Sequence, residues 1–152
     1  MTSINYSQIK SRFLSKIEDY SFLKQNERFN DEFIKEWLRS AIAIPYVRRV
    51  FDIITINEDN STIEFEINNP VDDLSDSEYI IELFAMGIVI RWMEPKVKSV
   101  INLKQMYGSK EEKWFSEANH LNAINALYKD TQNELKKLIR DHGYIYNSYI
   151  GS

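Results

Sequence analysis

The chain has 152 residues, 43% of them hydrophobic and 20 aromatic, with no cysteine and a net charge of −4. That length and apolar content bound a single domain with one core, residues 1–152. The missing cysteines exclude a disulfide framework and any thiolate metal site. A pI near 5.3 argues against a surface built to neutralise phosphates.

The N-terminal segment (Met1-Thr2-Ser3-Ile4-Asn5-Tyr6) lacks the charged-then-apolar layout of a signal peptide. The longest apolar stretch, 83–90, is far below the roughly 20 residues that span a bilayer. An intracellular, soluble protein with no membrane partner is expected. A first helix is predicted from about Ser7 to Lys24, with Ile9, Phe13, Leu14, Ile17, Tyr20 and Leu23 on one stripe. Asn30 and Asp31 offer an N-cap for a second, whose apolar positions Phe33, Ile34, Trp37, Leu38, Ala41 and Ile42 recur at helical spacing. Pro45 ends or kinks it, because proline disfavours helical geometry in the residue before it and lacks a donor.

The period then changes. Phe51-Asp52-Ile53-Ile54-Thr55-Ile56 is β-branched and apolar, Glu58-Asp59-Asn60-Ser61 is turn chemistry, and Thr62-Ile63-Glu64-Phe65-Glu66-Ile67 alternates strictly. This predicts a β-hairpin over about 50–67, an insertion in the helical plan, with Ile63, Phe65 and Ile67 inward and Glu64 and Glu66 outward. Two strands alone are marginal in water, so the hairpin needs a helix or a neighbouring subunit against it.

Ser75 as N-cap, Glu78 three residues on, and a Leu74–Tyr79 staple predict a sharp helix start. Residues 79–93 carry only Glu82 and Arg91 as charges, so this helix is expected to be covered on every side. Pro95 is expected to end it, with a short helix from about Val97 to Tyr107 following. A final long helix starts at Ser109 or Ser116 and runs to about His142. Its core stripe is Trp114, Phe115, Ala118, Leu121, Ile124, Tyr128, Leu135, Leu138 and Ile139, and Gly143 suits the left-handed closing position. The last stretch, about 143–152, is aromatic and uncharged, which predicts an extended C-terminal tail that docks. It docks either on its own domain or on a neighbour, with Tyr144, Tyr146, Tyr149 and Ile150 as anchors. The fold class expected is mainly α: a helical bundle with a long C-terminal helix, one β-hairpin and this tail.

Charge is segregated along the chain. Residues 51–90 hold ten acidic groups and no Lys or Arg, and the flanking segments are each +3. Such a distribution speaks to partners more than to fold. Asp76 and Glu78 mainly begin a helix, and Asp72 and Asp73 lead into it. The functional claim narrows to the hairpin surface, Glu58, Asp59, Glu64 and Glu66, as an interface or a DNA-repelling lining.

Signals for chemistry are weak. The run from Asp72 to Glu78 lacks the glycine and distal glutamate of a calcium loop, and capping explains it without a metal. His120 and His142 lie about 33 Å apart by helical rise and cannot share an ion. His120 is read as a structural hydrogen-bonding group, and His142 as suited to the last helical turn. Phosphate loops, nucleophile elbows and metalloprotease motifs do not occur. Arg39 with Arg48 and Arg49, and Lys96 with Lys98 and Lys104, are basic clusters of the kind usually solvated or ion-paired. No catalytic, cofactor-binding or metal-ligating residue is expected.

An apolar helix ending in Arg91-Trp92-Met93-Glu94-Pro95, a short basic helix, then Lys113-Trp114-Phe115-Ser116-Glu117-Ala118-Asn119-His120-Leu121 opening a long helix, and a Gly143-Tyr144 close follow in order. This order resembles the neck proteins of tailed bacteriophages, specifically head-to-tail connector or adaptor proteins, over roughly residues 29–146. The resemblance implies a structural virion protein, assembled in the host cytoplasm, that forms a ring, commonly dodecameric. The genome passes through such a ring without specific binding. It also implies the portal protein and the next neck or tail protein as partners, with no catalysis and no cofactor. The short segment after Gly143 and the hairpin depart from that pattern. A non-viral helical scaffolding or regulatory protein is the alternative, and an enzyme the weaker one.

Overall fold

A computed structural model of the protein describes residues 1–18, 31–107 and 112–150, the side chains of 31, 33, 99–121 and 144–150 excepted. It is mainly helical with one small antiparallel sheet. In chain order the elements are β1 (Thr2–Asn5), α1 (Tyr6–Glu18), α2 (Asp31–Ile42), α3 (Pro45–Arg48), β2 (Phe51–Asn57), β3 (Thr62–Ile67), α4 (Asp73–Tyr107) and α5 (Glu112–Ile150).

The hairpin is present, and a third strand completes it. The sheet order is β1-β3-β2, with Thr2 opposite Phe65 and Asn5 opposite Thr62. The marginal two-stranded unit is thus stabilised from within its own chain. Between Phe51 and Ile53 the register shifts, so Asp52 occupies a bulge. Asn57 Oδ1 accepts from the Asn60 N–H at 3.1 Å, and Ser61 adopts a φ of 54°, closing the turn. The Tyr6 N–H donates to Ser61 O at 2.9 Å, and Gln8 Oε1 accepts from the Asn5 N–H at 2.9 Å. The start of α1 is therefore fastened to the hairpin turn and capped by a glutamine reaching back from its third position.

The inner face of the sheet presents Ile4, Ile63, Phe65 and Ile67 to the helices, all buried. They meet α4, in which every residue of 80–90 except Glu82 is buried. Phe51 stacks on Phe84 at 5.6 Å between centroids and meets Phe65 edge-on at 5.8 Å. Helix α1 adds Ile9, Phe13 and Ile17, and α2 adds Ile34, Leu38 and Ala41. Phe13 sets its ring against Trp37 and Trp92, tying α1, α2 and α4 at one point. At Gly87, an added Cβ would lie 2.9 Å from the Ala41 Cβ, so the α2–α4 crossing depends on a bare Cα.

Four expectations are corrected. Pro95 does not end α4, which runs on to Tyr107 and absorbs the short helix expected from about Val97. The missing donor falls on an exposed position, while Trp92 and Met93 before it are buried and Val97 after it packs on the core, so tertiary contacts hold both sides. The cap of α4 is Asp72, whose Oδ1 accepts from the Ser75 N–H at 2.7 Å, and Leu74 makes no staple because it is 75% exposed. Gly143 does not close α5, whose backbone stays helical to Ile150, so the tail is not extended over those residues and His142 is not in a last turn. The first helix is described only to Glu18; Tyr20, Leu23, Lys24 and Asn30 lie outside the described residues, as do the side chains of Phe33, Trp114, Phe115, Ala118, His120 and Leu121.

Candidate interaction surfaces

Folding dismantles much of the acidic block. Arg12 of α1 donates to Glu78 Oε2 at 2.6 Å and to Glu82 Oε2 at 2.8 Å, and Lys16 pairs with the other oxygen of Glu82. Burial raises the Glu82 pKa, but the hydrogen bonds from Lys16 and Arg12 outweigh it and hold the carboxyl below its ordinary value. The two carboxylates in turn push the Arg12 pKa up. Glu58 pairs with Arg39 of α2. Asp76, 4% exposed, accepts from the Val71 N–H at 3.0 Å, and Asp73 accepts from the Thr2 hydroxyl at 3.1 Å. The Asp72 carboxyl is lowered by its hydrogen bonds to Ser75 and stays ionised as a cap. Bases that are remote in sequence, one turn apart on α1, thus neutralise acids one turn apart on α4.

What remains is a smaller acidic surface on the sheet. Glu64 and Glu66 are exposed on the outer face of β3, as alternation predicts, with Asp59 exposed in the turn and Asp52 exposed in the bulge. Among the described residues none of these four has a basic partner. Glu58 belongs to the predicted surface by sequence but not by charge, since Arg39 compensates it.

The sequence did not point to the cleft beside this surface. β1 covers β3 only as far as Phe65, so the backbone of Glu66 and Ile67 has no strand beside it there. The space between that end of β3 and the first turn of α4 is a cleft of about 530 Å³. Asp52, Glu66, Asp72, Asp73 and Asp76 line it, with no Lys, Arg or His among the lining residues. Met1 and Val71 also line it, 66% and 68% exposed, and Leu74 stands next to it in the sequence. With Ile53 these are the exposed large hydrophobics among the described residues. The signal was present in Leu74 and Val71, two apolar residues among acids, but it reads equally well as a helix staple.

A second cavity, of about 150 Å³, lies where α5 returns to the body. The His142 ring stacks on Tyr79 at 4.0 Å and 7° between planes, and its Nε2 is 2.9 Å from Asn69 O. Burial pushes the Tyr79 hydroxyl up to about 12. His142 is thus a joint between α5 and the loop before α4. A second joint surrounds the Arg91-to-Pro95 motif. Arg91 donates to Glu94 Oε1 at 2.8 Å and to Ser40 O at 3.2 Å, and the Tyr128 hydroxyl of α5 donates to the same Glu94 oxygen at 3.2 Å.

Of the basic clusters, Arg39 goes to Glu58, Arg48 donates to Phe51 O at 2.9 Å, and the Lys96 ammonium lies 5.0 Å above the Trp92 ring. The Lys104 side chain lies outside the described residues, as do those of Tyr144, Tyr146, Tyr149 and Ile150; the backbone of the latter four is helical. No helix among the described residues is long and apolar enough to cross a membrane. Comparison of the chain with family models, curated proteins and solved structures gives no match.

Proposed function

We propose that this chain is a structural assembly protein that acts as a neck adaptor in a tailed-phage virion. In that role it forms a ring between portal and tail through which DNA passes, and it performs no catalysis. The carrying observation is the order of short sequence motifs from Arg91-Trp92-Met93-Glu94-Pro95 to Gly143-Tyr144, although α4 runs through Pro95 without a separate short helix and α5 continues past Gly143. The first motif is a rigid joint rather than a loop: it links α2, α4 and α5 through Arg91, Glu94 and Tyr128. An assembly component needs such a stiff frame, because ring geometry is set by the angle each subunit holds between its two contact surfaces. The uncompensated carboxylates Asp52, Asp59, Glu64 and Glu66 supply a face that repels phosphates if it lines the channel, and one that orients a partner if it does not.

The experiment is direct imaging. At micromolar concentration, alone and with a portal complex, mass photometry and negative-stain microscopy should show closed rings. A strictly monomeric chain under both conditions contradicts the reading. The segment 144–150 tests the portal side: deleting residues 144–152 should weaken portal binding and leave the remaining helical content unchanged.

A further inference from the structure

A head-to-tail ring requires two different surfaces on each subunit that fit one another. The cleft between β3 and α4 is one such surface: concave, acidic, with no Lys, Arg or His side chain in its lining, and edged by exposed Met1 and Val71. Its complement is on α5. The core side of that helix is set by Ile124, Thr131 and Leu135, the residues buried there among those described. Lys129, Lys136 and Arg140 are spaced seven and four apart, so at about 100° per residue they share one stripe. That stripe lies on the side of α5 opposite the core, and all three residues are exposed. The stripe positions between them, Gln132 and Asn133, are uncharged, while Asp130, Glu134 and Asp141 fall to one side.

From this we infer that the basic stripe of α5 docks into the acidic cleft of a second copy of the chain, and that this contact joins successive subunits of the ring. The inference rests on the ring reading and names its interface. Lys129, Lys136 and Arg140 span about 16 Å along the helix by rise. They meet Asp52, Glu66 and the first turn of α4 in the neighbour, and the exposed Val71 supplies apolar area at the centre of the contact. Within one subunit Lys136 lies 5.6 Å over the Tyr46 ring and Arg140 Nε is 3.7 Å from Asp141, yet all three bases stay exposed, and in the cleft Asp52 and Glu66 have no basic partner among the described residues. The contact is heterologous, so it propagates around a ring instead of stopping at a pair.

Charge reversal on each surface tests the pairing. The first variant carries Asp52→Lys and Glu66→Lys, and the second carries Lys129→Glu, Lys136→Glu and Arg140→Glu. These are exposed positions, and circular dichroism checks that each variant folds; should a reversal fail to fold, Asp52→Asn with Glu66→Gln replaces it. Each variant alone should self-associate at least about tenfold more weakly than the wild type, and the wild-type assembly should itself weaken with rising salt. An equimolar mixture of the two variants should assemble beyond a pair with the two alternating, since the intact stripe meets the intact cleft and the reversed stripe meets the reversed cleft. Both sets in one chain should restore larger assemblies. Wild-type rings that neither reversal weakens overturn this interface and leave the adaptor reading standing. A wild type that stays monomeric alone and with a portal complex overturns both.

Discussion

Helices α4 and α5 are the two longest in the molecule, 35 and 39 residues, and they are built on opposite rules. α4 is apolar on all sides through its middle and is enclosed by the sheet, α1, α2 and α5. α5 fully buries only Ile124, Thr131 and Leu135 among its described side chains, packs Leu127, Tyr128, Leu138 and Ile139 partly against the core, and turns its other side outward. The difference teaches where stability and where surface are encoded. α4 is the post around which the chain folds, and α5 is a strap laid on it, held at Glu94 by Tyr128 and at Asn69 by His142, with a free outer face.

Truncating the post is the harshest test of that contrast. Phe84→Ala removes a fully buried ring stacked on Phe51 and should cost about 3–5 kcal/mol, read from the denaturant midpoint. Leu135→Ala in the strap should cost about 2 kcal/mol, the lower end for such truncations, because a one-sided seam can relax. Equal costs would erase the distinction. Next is the α2–α4 crossing. Gly87→Ala places a methyl 2.9 Å from the Ala41 Cβ and should lower stability by about 1–2 kcal/mol, although alanine is the better helix former. Adding Ala41→Gly should recover part of the loss, a coupling that thermal melts of the two single variants and the double variant would measure.

A smaller effect tests the ion-pair seam between α1 and α4. The Glu82 carboxyl is held below its ordinary 4.5 in the folded state. Its contribution is therefore present above pH 4.5 and is lost as pH falls through the lowered folded-state value. Glu82→Gln should be less stable than the wild type near neutrality, and the gap should close on acidification; a gap independent of pH would assign the effect to packing. The smallest change is a gain. Gly143 lies inside α5, and a Cβ there would meet only Asn69 Nδ2 at an ordinary 3.7 Å. Gly143→Ala should raise stability by about 0.5–1 kcal/mol.

The parts of this plan that were legible in the sequence are those whose signal is periodic. Strict alternation over Thr62 to Ile67 located β3 and its exposed glutamates, and the all-apolar middle of α4 announced a central helix. Punctuation misled. Pro95 and Gly143 read as stops, yet both sit inside helices whose flanks are held by distant contacts, Trp92 and Met93 in the first case and His142 against Tyr79 in the second. β1 was invisible because its four residues carry one apolar side chain, Ile4, and its pairing partner lies some sixty residues away. The charge block was legible as a count but not as a surface. Its cancellation by Arg12, Lys16 and Arg39 depends on which helix faces pack together, and no local pattern records that.

Hydrogen exchange, comparing the assembled protein with dissociated subunits at high salt, tests the account most directly. The account predicts that assembly adds protection at the end of β3 and the first turn of α4, around residues 66–75, and along residues 129–140 of α5, while 80–93, already slow, does not change. Added protection on neither surface, or a change centred on the middle of α4, would contradict it.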